Sequence, residues 1–122
     1  MKKVMKKNEP KTVNAEGRTL GRVASEVATL LIGKDQTSFE RNKFSGSQVN
    51  VINASKIKIT SKKLENITHS RYSGYPGGLR VTKAKETVSK KGYAELLRLS
   101  VLRMLPGNKL KKEMLKNLKI EN

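Results

Sequence analysis

The 122-residue chain contains no cysteine, no tryptophan and one histidine, His69. Without cysteine the chain forms no disulfide bond and no thiolate metal site. A single histidine cannot supply a histidine-based metal site or a paired acid–base relay, and His69 is interpreted as an exposed or stacking residue beside Arg71. No metal or cofactor is expected, and an enzyme is disfavoured.

Acidic residues are also scarce, because 10 Asp and Glu stand against 27 Lys and Arg and leave a formal net charge of +17. Charge runs are usually solvated surface when the composition is balanced, and here it is not. A partner dense in negative charge is therefore implied. Nucleic acid fits better than a membrane, since the chain lacks a long apolar run and its amphipathic stretches suit a protein core.

Two phosphate-binding motifs of nucleotide enzymes, G-x-x-x-x-G-K-[ST] and G-x-G-x-x-G, are absent from the sequence. No small-molecule substrate is therefore predicted. The lack of cysteine is compatible with a reducing compartment, and we expect a cytoplasmic protein. Residues 1–11 lack the apolar segment of a secretory signal and are predicted to be a disordered basic tail, followed by one domain over residues 12–122.

Apolar periodicity predicts a helix over residues 19–32, which Gly33 ends because glycine accepts a left-handed backbone. An exposed loop is predicted over residues 35–47. Strands are predicted over residues 49–54 and 56–60, the second with Ile57 and Ile59 inward and Lys56 and Lys58 outward. Asn50 interrupts the first of these strands, so either its amide has a partner or the strand is less buried.

The next segment contains a predicted turn over residues 61–66, an extended stretch over residues 67–72 and the glycine-rich residues 73–78. The glycines have two interpretations: close approach to phosphate or ribose, or an ordinary tight turn built on Pro76. Helical periodicity returns from Tyr93 until Pro106 and Gly107 end it. A last helix is predicted from the cap Asn108, burying Leu110, Met114, Leu115 and Leu118.

Five further segments stand out: residues 17–26 (GRTLGRVASE), 51–60 (VINASKIKIT), 71–79 (RYSGYPGGL), 104–110 (MLPGNKL) and 114–119 (MLKNLK). Together they resemble the L13 family of large-subunit ribosomal proteins. Their order and spacing match almost without gaps from Asn14 to Ile120. Two departures are the loop at residues 42–47, where neutral groups replace the acidic ones usual in the family, and an end at Asn122 without the tail common in the family.

The resemblance implies a single three-layer α/β/α domain with a mixed sheet of about four strands. It implies a structural constituent of the large ribosomal subunit that binds large-subunit ribosomal RNA, lies beside neighbouring ribosomal proteins and supports subunit assembly. RNA contact is then expected at eleven basic or aromatic residues: Arg18, Arg22, Lys56, Lys58, Lys62, Lys63, Arg71, Tyr72, Tyr75, Arg80 and Lys109. The alternative is a free basic nucleic-acid-binding module that compacts DNA or regulates expression.

If about six to ten basic groups contact phosphates, affinity for ribosomal RNA fragments falls by roughly 10³ to 10⁵ between 50 and 200 mM salt, because counterions released on binding must be recaptured. Titration of the purified protein against RNA fragments and duplex DNA over a salt series measures this. Equal affinity for both at every salt concentration would contradict recognition of structured RNA.

Overall fold

The computed structural model describes residues 10–37, 39–42 and 47–122. Residues 1–9 of the predicted tail (1–11) and residues 38 and 43–46 of the predicted loop (35–47) lie outside these residues, and Lys11 already belongs to the first strand. The elements in chain order are β1 (Lys11–Asn14), α1 (Leu20–Ile32), β2 (Val49–Ile52), a 3₁₀ turn (Ala54–Lys56), α2 (Ser61–Asn66), β3 (Thr68–Tyr72), β4 (Leu79–Lys83), α3 (Ala84–Lys91), α4 (Tyr93–Met104), α5 (Lys111–Lys116) and β5 (Leu118–Ile120).

A parallel three-stranded sheet in the order β1-β2-β5 forms the centre of the fold. The register places Val13 beside Val51 and Val51 beside Ile120. Successive side chains of a strand point to opposite faces, so Val13, Val49 and Val51 share a face, and all three are buried. The other face is more open, since Thr12 and Lys119 are exposed and Asn50 is half-buried. Of the two interpretations of Asn50, a hydrogen-bond partner for its amide or a less buried strand, the second is therefore confirmed.

Helix α1 is amphipathic and supplies much of the core through Val23, Val27 and Leu31, each fully buried. Gly33 ends it with φ 88°, a left-handed conformation that costs glycine little, and its backbone N–H donates to the Thr29 carbonyl. The predicted helix and its glycine end are thus confirmed.

Helix α4 packs against α1 and buries Leu96, Leu97 and Val101. It ends at Met104, and Leu105 already has an extended backbone immediately before Pro106, because proline disfavours the helical conformation of the residue before it. This end is the one predicted from sequence.

Strands β3 and β4 form an antiparallel hairpin separate from the central sheet. The α/β class is confirmed, as is the extended stretch that precedes the glycine-rich turn. The strands divide differently from the single mixed sheet of about four strands that was expected. Three are parallel and two form the hairpin, a pairing that alternation alone does not determine.

Two local predictions between β2 and β3 are wrong. Residues 56–60 are not a regular strand: Lys56 ends the 3₁₀ turn, and only an isolated parallel bridge joins Lys58 to Thr19. The alternation was correct, however, since Ile57 is buried and both lysines are exposed. Residues 61–66, predicted as a turn, form α2, whose first turn is capped by the Thr60 hydroxyl accepting from the Lys63 N–H at 3.4 Å.

The C-terminal segment also differs in detail from the prediction. The Asn108 side-chain oxygen accepts from the Leu110 N–H at 3.1 Å ahead of α5, and Met114 is buried as expected. Leu118, which was assigned to this helix, lies in β5 instead, hydrogen-bonded beside Val49. Edge-strand pairing with β2 overrides the helical spacing of the preceding leucines.

Core leucines contribute far more stability than exposed ones. Leu31→Ala removes a fully buried side chain and is expected to lower the free energy of unfolding by about 2–5 kcal/mol. The matched control Leu79→Ala truncates a leucine that is 62% exposed and is expected to change it by less than about 0.5 kcal/mol. Urea unfolding followed by circular dichroism measures both; equal losses would contradict this account of the core.

Candidate nucleic-acid interface

The segments that follow β1 and β2 meet at the carboxyl edge of the parallel sheet. Asn53 adopts a left-handed backbone with φ 58°, and its side-chain amide donates to the Asn14 side-chain oxygen at 3.2 Å. The same oxygen accepts from the Glu16 backbone N–H at 3.0 Å. This edge is where open parallel α/β sheets generally place ligands. Asn14 and Asn53 therefore fix the two loops that carry the basic residues Arg18, Lys56 and Lys58.

Backbone hydrogen bonds bring Arg18, Lys56 and Lys58 together although about forty residues separate them in sequence. The Gly17 N–H donates to the Lys56 carbonyl at 3.1 Å, and the Lys58 N–H donates to the Arg18 carbonyl at 2.9 Å. Arg22 lies one helical turn beyond Arg18 and is exposed. Four of the predicted RNA contacts therefore form one cluster, the sheet-edge cluster.

Acidic neighbours pair with two members of the sheet-edge cluster. The Arg18 guanidinium is 2.5 Å from a Glu26 carboxylate oxygen, and the Lys56 ammonium is 3.6 Å from that of Glu16. These pairs are at least partly exposed, and ion pairs of this kind contribute only about 0–1 kcal/mol. A phosphate can therefore replace the carboxylates at small cost.

Lys62 and Lys63 are exposed in α2, a helix of six residues, and Lys63 already belongs to its last turn. Neither lysine has an ion pair within the part of the chain that the structure describes. Both ammonium groups are therefore accessible to an anionic partner.

The β3–β4 hairpin has two chemically different faces. Its register pairs His69 with Thr82, Ser70 with Val81, Arg71 with Arg80 and Tyr72 with Leu79. Because side chains alternate, His69, Arg71, Arg80 and Thr82 form one face, here called the arginine face. Thr68, Ser70, Tyr72, Leu79, Val81 and Lys83 form the other, here called the apolar face. Arg71 and Arg80 are directly opposite each other and both exposed, so their charges repel unless an anion lies between them.

The glycine-rich connection is a tight turn. The Gly78 N–H donates to the Tyr75 carbonyl at 2.9 Å, Pro76 follows Tyr75, and Gly77 has φ 74°. Proline followed by a residue of positive φ is typical of a type II turn. The structural interpretation of these glycines is confirmed, and the turn leaves the Tyr75 ring exposed at the hairpin tip.

His69 lies at the base of the arginine face and is half-buried, so of the two predicted alternatives, an exposed or a stacking residue, the first is wrong. Neither ring nitrogen has a hydrogen-bond partner among the described residues. Burial, and secondarily the positive charge of Arg103, lowers the pKa of His69 below its usual 6.5. Arg103 of α4 therefore adds a cation near the arginine face. Sequence reasoning missed it because only the tertiary structure brings residues 69 and 103 near each other.

Lys109 is remote from the sheet-edge cluster. Its neighbour Asn108 lines a cavity of about 400 Å³ together with Ile32 and Lys34, at the carboxyl end of α1. Arg18 precedes the opposite end of α1, and 13 helical residues span roughly 20 Å. Lys34 and Arg41 line the same cavity and were not predicted as contacts. The structure thus places Lys109 in a second basic region.

Within residues 10–37, 39–42 and 47–122, no three His, Asp or Glu side chains are grouped so that they could hold a metal ion. None of the helices there is long and apolar enough to cross a membrane.

These features define a small basic α/β domain with exposed cations and aromatic rings gathered on a sheet edge and a hairpin, a class typical of nucleic-acid-binding proteins. The chain belongs to the ribosomal protein L13 family, whose family model matches residues 8–120. The resemblance found in the sequence is thereby confirmed. Membership of this family of structural ribosomal proteins also confirms that the chain is not an enzyme.

Several curated proteins named large ribosomal subunit protein uL13 are similar to the chain. The protein of Thermosipho africanus is 41% identical over 121 residues, which cover 96% of this chain and 80% of the relative. That of Aquifex aeolicus is 46% identical over 108 residues, or 88% and 74% of the two chains. That of Thermus thermophilus is 42% identical over 119 residues, or 96% and 84%.

The lowered pKa of His69 makes stability depend on pH. Below pH 6.5 the unfolded chain binds a proton that the folded chain still excludes, so the free energy of unfolding falls as the pH drops below 6.5. In His69→Gln this contribution is absent, and the loss between pH 7.5 and 5.5 is expected to be smaller. Urea midpoints of both proteins at the two pH values measure it; identical losses would contradict the assignment.

Proposed function

We propose that this chain is a structural constituent of the large ribosomal subunit in the cytoplasm. It binds large-subunit ribosomal RNA and supports assembly of the subunit. The observation that carries the proposal is family membership over residues 8–120, together with relatives that are each named as large-subunit proteins. The charge of +17 supports the same function, because ribosomal RNA is the polyanion that such a protein meets.

The RNA-binding surface consists of the eleven residues predicted from sequence. The sheet-edge cluster and the α2 lysines contact phosphates and so position the domain without reading sequence. On the hairpin, Arg71 and Arg80 contact a phosphate between them, while the exposed rings of Tyr72 and Tyr75 stack on unpaired bases. Lys109 contacts a separate RNA segment at the far end of α1.

The rigidity of the core serves this function. Backbone hydrogen bonds hold Arg18 and Lys58 at a fixed separation, and the buried leucines of α1 and α4 fix α1 relative to the sheet. Binding therefore orders only the long basic side chains, which reduces its entropic cost. A domain of this kind holds converging RNA segments in one geometry.

The alternative is a free DNA-compacting or regulatory protein. Phosphate neutralisation would serve either function, so charge does not separate them. The family match favours a ribosomal protein over a DNA-binding one.

A sucrose-gradient profile of cell lysate tests the function, with the protein detected fraction by fraction. We expect co-sedimentation with the large subunit through a moderate-salt wash. A signal confined to the top fractions or to the nucleoid would contradict the proposal.

The double variant Arg71→Ala/Arg80→Ala removes two phosphate contacts. In the gradient assay we expect a smaller fraction of large subunits to carry the variant. In a titration with purified RNA, we expect the slope of log affinity against log salt concentration to become shallower by about two.

A matched control removes two charges elsewhere. Arg98 and Lys119 are exposed, and each lies beside an acidic partner, Arg98 at 3.4 Å from Glu95 and Lys119 at 3.7 Å from Glu121. Arg98→Ala/Lys119→Ala lowers the net charge equally and is expected to leave the salt slope near that of the parent protein. Equal effects of the two double variants would show that net charge, not the hairpin, governs binding.

A further inference from the structure

The hairpin carries most of the exposed apolar surface of the described chain. Among these residues the large hydrophobic side chains that are exposed are Tyr72, Tyr75, Leu79, Val81 and Met104, and all but Met104 belong to the hairpin or its turn. Single exposed apolar residues are ordinary, whereas a contiguous group marks an interaction site. The hairpin therefore has a second function besides presenting its arginines.

Three of these side chains form one continuous patch on the apolar face. Tyr72 is directly opposite Leu79, and Val81 is two residues along the same strand, so it shares the face with Leu79. Their exposed fractions are 63%, 62% and 58% respectively. The tyrosine at the tip, Tyr75, belongs to the turn and lies beyond the paired register.

RNA does not explain the aliphatic part of this patch. Leu79 and Val81 carry no charge, no hydrogen-bond donor and no ring for stacking, which are the groups that recognise RNA. The free energy of covering them comes from removing apolar area from water, and this requires an apolar surface on the partner. Phosphates and base edges do not supply one, and base faces stack on aromatic rings or guanidinium planes, which Leu79 and Val81 lack.

The surroundings of the patch match the anatomy of a protein interface. Its centre is uncharged and includes an aromatic residue, while Thr68, Ser70 and Lys83 form a polar rim. Interface centres are depleted of charge and enriched in aromatic residues, with polar rims. In a chain of net charge +17, an uncharged centre is also the part of the surface least suited to a polyanion.

The size of the patch bears on which protein covers it. A stable interface in solution needs roughly 800 Å² from each partner, or about 20–30 residues, and three side chains fall far short of that. A dimer of this chain through the patch alone is therefore disfavoured. The patch suffices only where another interaction already holds the two molecules together, as shared RNA does.

We propose that Leu79 and Val81 dock on an apolar patch of a neighbouring large-subunit protein, while the arginine face of the same hairpin, with Tyr72 and Tyr75 near its tip, contacts ribosomal RNA. The hairpin is then inserted between RNA and protein. This inference rests on the proposed function, since it requires the chain to be assembled in the subunit.

Site-specific photocrosslinking in assembled subunits tests the inference. Large subunits are purified from cells whose only copy of the protein carries benzoylphenylalanine at position 81, and a parallel strain carries it at position 80 on the opposite face. Irradiation is expected to join position 81 to a protein of the purified subunit, identified by mass spectrometry, and position 80 to ribosomal RNA.

The other outcomes would overturn the inference. Attachment of position 81 to RNA would place RNA on both faces, and an adduct of two copies of this chain would indicate self-association. No adduct at position 81, with RNA adducts at position 80, would show that the apolar face is uncovered. If the unlabelled protein does not co-sediment with large subunits at all, the proposed function fails first, and the two failures are thereby distinguished.

A pair of serine substitutions provides a second measurement. Leu79→Ser/Val81→Ser alters exposed side chains only, so circular dichroism and affinity for an isolated ribosomal RNA fragment are expected to stay within about twofold of the parent. A high-salt wash weakens phosphate contacts and spares apolar ones. After such a wash, we expect the fraction of the variant retained in subunits to be roughly tenfold lower than that of the parent. Equal retention of variant and parent, or an equal loss of affinity for the isolated RNA, would contradict protein docking.

Discussion

Electrostatic self-repulsion is the constraint on which the rest of this structure depends. A net charge of +17 on a domain of 122 residues opposes compaction, and a domain of this size has only a modest core to oppose it. The chain separates the two requirements in space. Valines and leucines of the central sheet, α1 and α4 are fully buried, while most cations stand on loops, on the hairpin and on the exposed faces of the helices. The core holds the fold, and an anionic partner relieves the repulsion.

The hairpin uses the two-residue period of a strand for a purpose different from that of the central sheet. In β2 the alternation separates a buried face from a half-buried one, so it serves stability. In β3 and β4 only His69 and Thr82 are half-buried, the other side chains of both faces are exposed, and alternation separates arginines from an apolar patch. Because the hairpin lies outside the central sheet, its surface chemistry can be exposed without weakening the core. This freedom lets one small element present a cationic face and an apolar face at once.

Periodic segments with defined ends were predictable, and short segments were not. Helix α1 and the end of α4 followed from apolar spacing together with Gly33 and Pro106, which act through local backbone geometry. Residues 61–66 were mistaken for a turn, because a six-residue helix is too short to show periodicity and depends on the Thr60 cap. Residues 56–60 alternate as a strand does, yet they lack a neighbour to pair with beyond the bridge at Thr19. For the candidate site, residue types were predictable, but the proximity of Arg103 to His69 and the distance of Lys109 from Arg18 were not.

The sequence by itself determined the charge, the lack of cysteine, the family and the main helices. Each of these is a property of composition or of local pattern, and local pattern acts through backbone geometry that needs no distant partner. Only the tertiary structure decided which cations meet. The pairing of Lys58 with Arg18 across the sheet edge, and of Arg71 with Arg80 across the hairpin, depends on strand register and on contacts far apart in sequence. Register also decided that Tyr72 shares the face of Leu79 and Val81, because a shift of one residue between the strands would have paired Tyr72 with Arg80.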